Sequence, residues 1–252
     1  MLVLNQITHA FPGCFEPVLK GLNLTVQEGD FCVVIGSNGS GKSTLMRAIS
    51  GEYIVDSGSI FIDQKEVTDT DRSHLIASVI QDVNQGTILE MTLLENMVLS
   101  AMRVKRAGFA FYRHYEKEML SQIQTLDLGL ERYLNQPLQC LSGGQRQMIA
   151  TLMAVCSKPK VLLLDEHTSA LDPKMQQVLM DYTAQAITEH NITSLMVTHK
   201  LDDAIKYGNR LIMLHQGKIV LDVSGSEKAA LSITQLLALF HHYEDLVLNR
   251  GI

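Results

Sequence analysis

Three short clusters in this sequence carry residue types that could do chemistry, and the first is a glycine loop. Gly36-Ser37-Asn38-Gly39-Ser40-Gly41-Lys42-Ser43-Thr44 fits the pattern G-x-x-x-x-G-K-[ST]. Glycines let the backbone curl so that successive N–H groups point inward at an anion, and a helix starting on the loop adds positive potential there. Lys42 supplies a point charge for the β- and γ-phosphates of a nucleotide. Ser43 supplies a hydroxyl for Mg2+, an ion that takes oxygen ligands. The four fixed positions recur by chance in roughly one chain in a hundred of this length. The bland alternative is a glycine-rich turn that holds Lys-Ser by accident, and the flanking sequence argues against it. Phe31-Cys32-Val33-Val34-Ile35 is a continuous apolar run, while Leu45, Met46, Ala48 and Ile49 recur at helical spacing. Strand, glycine loop, helix is the order that a triphosphate-binding loop requires.

The second cluster is Asp165-Glu166, which ends the buried-strand pattern Val161-Leu162-Leu163-Leu164. Carboxylates at such a strand end are costly unless paired or metal-bound. Asp165 is placed to hold Mg2+, directly or through water, and Glu166 to polarise an attacking water. The third cluster is Leu141-Ser142-Gly143-Gly144-Gln145, a pentapeptide expected by chance in far fewer than about one chain in a thousand. It reads as a helix start: Ser142 at the cap, two glycines leaving backbone N–H groups accessible, then helix through Arg146, Gln147 and Ile149. One chain thus carries two phosphate-binding helix starts about a hundred residues apart.

Positioning these clusters takes an α/β fold. Leu22, Leu24 and Val26 alternate with polar residues and predict a strand, Glu28-Gly29-Asp30 a turn, and Gly58 to Asp63 and Ser78 to Gln81 further strands. From about Gly86 to Ser157 the spacing changes to three and four residues, through Leu93, Leu94, Met97 and Val98 and again through Met119, Leu120, Ile123 and Leu126. This predicts a helical lobe, residues 86–157, inserted into the α/β domain. Strand patterns return at Val161–Leu164, Ser194–Val197 and Leu211–Leu214, with helical segments between the first two, so the sheet is largely parallel and flanked by helices. Thr234 to Leu248 reads as a short terminal helix.

Composition narrows the function. Of 252 residues, 46% are hydrophobic and 19% charged, the balance of a globular protein. With 21 Lys+Arg against 27 Asp+Glu the formal charge is −6, which argues against nucleic-acid binding through bulk positive charge. No apolar run approaches the roughly 18 residues that cross a bilayer. Cys14, Cys32, Cys140 and Cys156 are far apart, so neither a zinc site nor a redox motif is indicated. Met1 to Asn5 lacks the basic start of a signal peptide, and the expected compartment is the reducing cytoplasm.

With the clusters in this order, the sequence resembles the nucleotide-binding subunits of ATP-binding cassette (ABC) transporters over essentially its whole length. Gly36–Thr44 corresponds to the Walker A loop, Gln81 to the Q-loop, Leu141–Gln145 to the signature and Val161–Glu166 to Walker B. Ser169-Ala170-Leu171-Asp172 is similar to the D-loop, and His199 to the switch histidine. Phe11 stands where this family stacks an aromatic ring on adenine. Phe15 is the alternative, because the Pro12-Gly13-Cys14 turn leaves the register open. The resemblance implies a P-loop NTPase core of mainly parallel sheet with helices, an N-terminal antiparallel β subdomain and the helical subdomain at 86–157. All of these fall within a single ABC ATP-binding domain spanning 1–252, with little length left for an appended regulatory domain.

The resemblance also implies a mechanism. Two copies pack head to tail, each ATP lying between Walker A of one and the signature of the other, an isologous interface that accounts for two phosphate-binding helix starts per chain. Ser37 to Thr44 would bind ATP, Glu166 would act as general base, His199 would contact the γ-phosphate, and Gln81 would sense Mg2+ and water. Ser142, Gly143, Gly144 and Gln145, with Asp172, would meet the nucleotide from across the interface, and Ser43, Gln81 and Asp165 form the expected Mg2+ set. His167 departs from the Pro that most relatives carry after Asp-Glu. It is either a spacer or a titratable neighbour that makes hydrolysis pH-sensitive.

As one cassette without a membrane span, the chain is expected to work at the cytoplasmic face of the plasma membrane with separate permease subunits and a solute-binding protein. Arg103, Lys105, Arg106, Arg113 and Lys117 against Glu116 give a local net of +4, either a solvated helix face or a contact with permease loops or anionic headgroups. The leading expectation is an ATPase energising import of a small, amino-acid-like solute. Export of lipid, lipoprotein or drug is the second reading. A soluble ABC ATPase acting on DNA or ribosomes is the third, although this chain has neither the tandem cassettes nor the coiled-coil insertion usual there.

Overall fold

A computed structural model describes residues 1–80, 86–102 and 112–248. In chain order the elements are β1 Leu2–His9, β2 Leu19–Val26, β3 Phe31–Ile35, α1 Lys42–Ser50, β4 Ser57–Ile62, β5 Lys65–Glu66, α2 Asp69–Leu75, β6 Ile76–Val79, α3 Leu93–Met102, α4 Tyr112–Gln124, α5 Gly143–Cys156, β7 Val161–Asp165, α6 Pro173–Glu189, β8 Thr193–Val197, α7 Leu201–Lys206, β9 Arg210–His215, β10 Lys218–Ser224, α8 Gly225–Ala229 and α9 Ile233–Leu248. The chain divides into two compact units, residues 1–72 with 193–252, and residues 73–192.

The first unit holds two sheets. β1 pairs antiparallel with β2 and β4, and β5 extends the edge beyond β4. This is the expected N-terminal antiparallel subdomain. In the second sheet β3 lies between β8 and β9, parallel to both, and β10 closes the edge antiparallel to β9. All five residues of β3 are buried, as are all five of β8, because parallel strands are covered on both faces. That explains why the Phe31–Ile35 run was readable to the residue. The terminal helix α9 has sixteen residues and begins one residue before the expected Thr234.

In the second unit β6 and β7 pair in parallel, Ile76 with Val161 through Val79 with Leu164. β6 begins two residues earlier than the Ser78–Gln81 expectation, since α2 ends at Leu75 with no turn residue to mark the change. Gln81 lies outside the described residues, as do Arg103, Lys105 and Arg106 of the basic stretch. Helices α3, α4 and α5 share an apolar core that includes Leu93, Met97, Ile123, Leu138, Met148 and Leu152, on segments where helical spacing predicted the lobe. Among the described residues no helix is long and apolar enough to cross a membrane.

Candidate nucleotide site

Each unit carries candidate residues of its own. In the first, the glycine loop leaves the end of β3 and enters α1. A Cβ on Gly36 would run into the Leu214 carbonyl oxygen of β9, so close packing of the neighbouring strand requires glycine. Gly41 caps α1 at φ 104°, a left-handed geometry that glycine adopts without strain. The loop is braced from below, where Gly217 in the β9–β10 turn donates its N–H to the Ser40 carbonyl at 2.9 Å.

Lys42 lies inside this loop. Its side chain is buried, with 6% of the residue exposed, and Nζ donates to the carbonyls of Gly36 at 2.8 Å and Ser37 at 3.0 Å. The ammonium is thus held by two carbonyls of the glycine loop. Ser43, one residue on, is exposed. Its hydroxyl is the kind of oxygen donor that suits Mg2+.

His199 follows β8, and register relates it to the glycine loop. Val34 of β3 is level with Val197 of β8, so Gly36 and His199 each stand two residues past a paired position on adjacent parallel strands. Both leave the sheet at its C-terminal edge, where open α/β sheets bind ligands. His199 is exposed, and α7 starts two residues later.

Phe11, the expected adenine platform, is also in the first unit. Phe11 lies two residues past the end of β1, in a turn where Cys14 N–H donates to the Phe11 carbonyl at 3.0 Å. Its ring meets His9 edge-on, centroids 5.2 Å apart, and Tyr53 edge-on at 5.4 Å. Phe15 is fully exposed and makes no ring contact among the described residues. The structure thus offers Phe11 as the fixed ring. Neither His9 nor Tyr53 was singled out by motif or spacing, since only the fold brings residues 9, 11 and 53 together.

The second unit carries the carboxylates and the glycine-rich helix start. Full burial runs through β7 from Val161 to Leu164, and Asp165 and Glu166 emerge half-buried at its end. Glu166 adopts φ 49°, an uncommon conformation for a residue with a side chain. The Glu166 carbonyl accepts from Ser169 N–H at 3.0 Å, which turns the chain into the next helix. Asp172 caps α6: Oδ1 accepts from Lys174 and Met175 N–H at 3.1 and 3.0 Å, with Pro173 at the first helical position. That oxygen is therefore committed to its own helix.

His167 is 1% exposed, and among the described residues its Nε2 has no hydrogen-bond partner. Burial pushes its pKa down to about 4, so the imidazole is neutral throughout the physiological range. Burial thus favours a packed, uncharged side chain after Glu166.

The helix start at α5 is a full capping box. Ser142 Oγ accepts from Gln145 N–H at 3.3 Å, and Gln145 Oε1 accepts from Ser142 N–H at 2.9 Å. Gln145 is thus used within the helix start. The Ser142 hydroxyl, acting as acceptor, keeps its own hydrogen available to donate. Gly143 and Gly144 occupy the first two helical positions, whose N–H groups have no partner inside a helix. A Cβ on Gly143 would meet nothing within 4 Å, whereas one on Gly144 would press on Leu171 Cδ2 at 3.0 Å. Packing therefore explains glycine at 144 and not at 143.

A phosphate loop between a parallel strand and a helix defines a nucleoside-triphosphate-binding α/β protein. Comparison with known proteins gives the family. A family model described as ABC transporter matches residues 19–169. The tyrosine transport ATP-binding protein of Clostridioides difficile is 40% identical over 96% of this chain and 99% of its own. The phosphonates import ATP-binding protein of Oceanobacillus iheyensis is 33% identical over 88% of this chain and 89% of its own. A dimeric ATP-binding cassette solved in a post-hydrolysis state with ADP and Pi superposes with a TM-score of 0.78 at 30% identity, over 89% of this chain and 98% of that one. The chain belongs to the ABC transporter family as an ATP-binding subunit, and it is an ATPase.

Proposed function

We propose that this subunit powers import of a small solute through separate permease subunits, with two copies closing head to tail on two ATP molecules. The observation that carries the dimer is the open space over Gly143: a helix start free of local packing is suited to a phosphate presented by another chain. Import is supported by likeness to the tyrosine and phosphonates proteins along nearly their full lengths. Tyrosine transport by the first favours an amino-acid-like solute.

In this reading Lys42 exchanges its two carbonyl partners for phosphate oxygens, and the loop N–H groups from Ser37 to Thr44 wrap the triphosphate. Phe11 stacks on adenine. Glu166 polarises the attacking water, His199 holds the γ-phosphate, and Gln81 reports on the water and metal. Ser142 donates its hydroxyl hydrogen, and Gly143 and Gly144 their N–H groups, to the γ-phosphate of the opposite copy, while Asp172 lines the seam. Ser43 and Asp165 would hold Mg2+, which when bound neutralises charge on the phosphates. Residues 86–157 form the inserted subdomain of the single ATP-binding domain and face the permease at the cytoplasmic side of the membrane. A solute-binding protein delivers the cargo.

Glu166→Gln is expected to cut hydrolysis by roughly 10²- to 10⁴-fold while ATP still binds; wild-type turnover would refute the assigned base. Expressed with its permease in proteoliposomes, the wild-type subunit should hydrolyse ATP faster when solute-loaded binding protein is outside. Stimulation by a substrate on the ATP side instead would indicate export.

A further inference from the structure

Beyond the single aromatic residue, we infer that Tyr53 and His9 are positioning residues for the nucleotide base, holding Phe11 edge-on in a three-ring cluster that α1 anchors. The inference rests on the reading of Phe11 as the adenine platform. Three ring centroids lie mutually 5.2 to 5.4 Å apart. Tyr53 and His9 are stacked with their planes 13° apart, and Phe11 stands at 83° and 89° to them. Edge-to-face contacts of this kind are favoured by the ring quadrupoles. They fix the tilt of Phe11 as well as its place, and a stacking surface depends on tilt.

The cluster is secured from two sides. Arg47, in the helix that starts at Lys42, donates from Nη1 to the Tyr53 hydroxyl at 2.6 Å and lies 5.5 Å from the Tyr53 ring centroid. Asp56 Oδ2 accepts from Ala10 N–H at 2.6 Å, and Asp56 N–H donates to the Thr8 carbonyl at 2.9 Å. The end of β1, which leads into Phe11, is thereby tied to the segment that carries Tyr53. His9 is 8% exposed and, among the described residues, neither ring nitrogen has a hydrogen-bond partner, so its neighbours' rings hold it in place. Tyr53 thus links the helix under the phosphates to the ring under the base, and its loss should be felt by the base alone.

Removing the base from the ligand tests this. Affinities for MgATP and for Mg-tripolyphosphate, which has the phosphates and no adenine, are measured by calorimetry for wild type, Phe11→Ala, Tyr53→Ala, Tyr53→Phe and a control, Ile54→Ala, at an exposed neighbouring position. Tyr53→Ala should weaken ATP roughly 3- to 10-fold, the worth of one ring pair, with tripolyphosphate unchanged. Tyr53→Phe, which keeps the ring, should restore most of the loss, and Ile54→Ala should match wild type. If Phe11→Ala weakens ATP and Tyr53→Ala does not, the positioning role is wrong and the platform survives. If Tyr53→Ala weakens both ligands alike, Tyr53 acts through the phosphate helix and the inference fails. If Phe11→Ala leaves ATP affinity unchanged, the platform reading falls and this inference falls with it.

Discussion

The two glycine-rich helix starts differ in how far the chain itself completes them. At α1 the loop folds back on its own helix: Lys42 is buried and bonded to two loop carbonyls, and Gly36 is forced by the Leu214 carbonyl beside it. At α5 the cap is complete, yet Ser142 and Gly143 are exposed and nothing local requires glycine at 143. The first is a finished cradle. The second is a stable helix end with exposed residues, which the proposed function leaves for a second surface to meet.

The comparison breaks if the two starts respond alike to substitution. Lys42→Ala should weaken ATP binding and reduce hydrolysis by about 10²- to 10³-fold, the usual loss of one preorganised donor. Gly143→Asp should also reduce hydrolysis by about 10²-fold, through repulsion of phosphate, while ATP affinity of the isolated subunit stays at wild type. Thermal stability should hold too, since an acidic residue in the first turn favours a helix. Both quantities can be read from one titration series with a fluorescent nucleotide.

A smaller effect separates the cap from the phosphate donor at Ser142. Ser142→Ala should cost about 1 kcal/mol, seen as a drop in Tm of about 2–4 °C for a chain of this size. Ser142→Asp should keep the cap and the Tm and still lose hydrolysis, because its carboxylate would oppose the phosphate. An unchanged Tm in Ser142→Ala would mean that the capping box does not stabilise α5.

The smallest signal is chemical. Cys14 and Cys140 are exposed, whereas burial pushes the Cys32 thiol up to about 12 and the Cys156 thiol up to about 11. A thiol reagent at neutral pH should modify Cys14 and Cys140 quickly and leave Cys32 unreacted. Cys140 precedes the signature by one residue and should be protected when ATP is added to the Glu166→Gln protein.

Much of this was legible in the sequence where burial is uniform or a cap residue is diagnostic. β3 and β7 showed as unbroken apolar runs, and Ser142 and the glycine loop showed by type and order. β6 was displaced because Ile76 and Ala77 follow α2 without a punctuating residue. Other features depended on tertiary proximity. The ring cluster joins positions 9, 11 and 53, the full burial of His167 follows from packing, and Leu171 distinguishes Gly144 from Gly143. Those contacts leave no periodic mark on a single chain.

The central claim is that the α5 start acts on a nucleotide held by another copy. Light scattering after size exclusion with ATP tests it most directly, on Glu166→Gln and on Glu166→Gln combined with Gly143→Asp. A dimer for the first, and a monomer that still binds ATP with unchanged affinity for the second, is the predicted result. A dimer that persists with Gly143→Asp, or a Gly143→Asp monomer that no longer binds ATP, would contradict it.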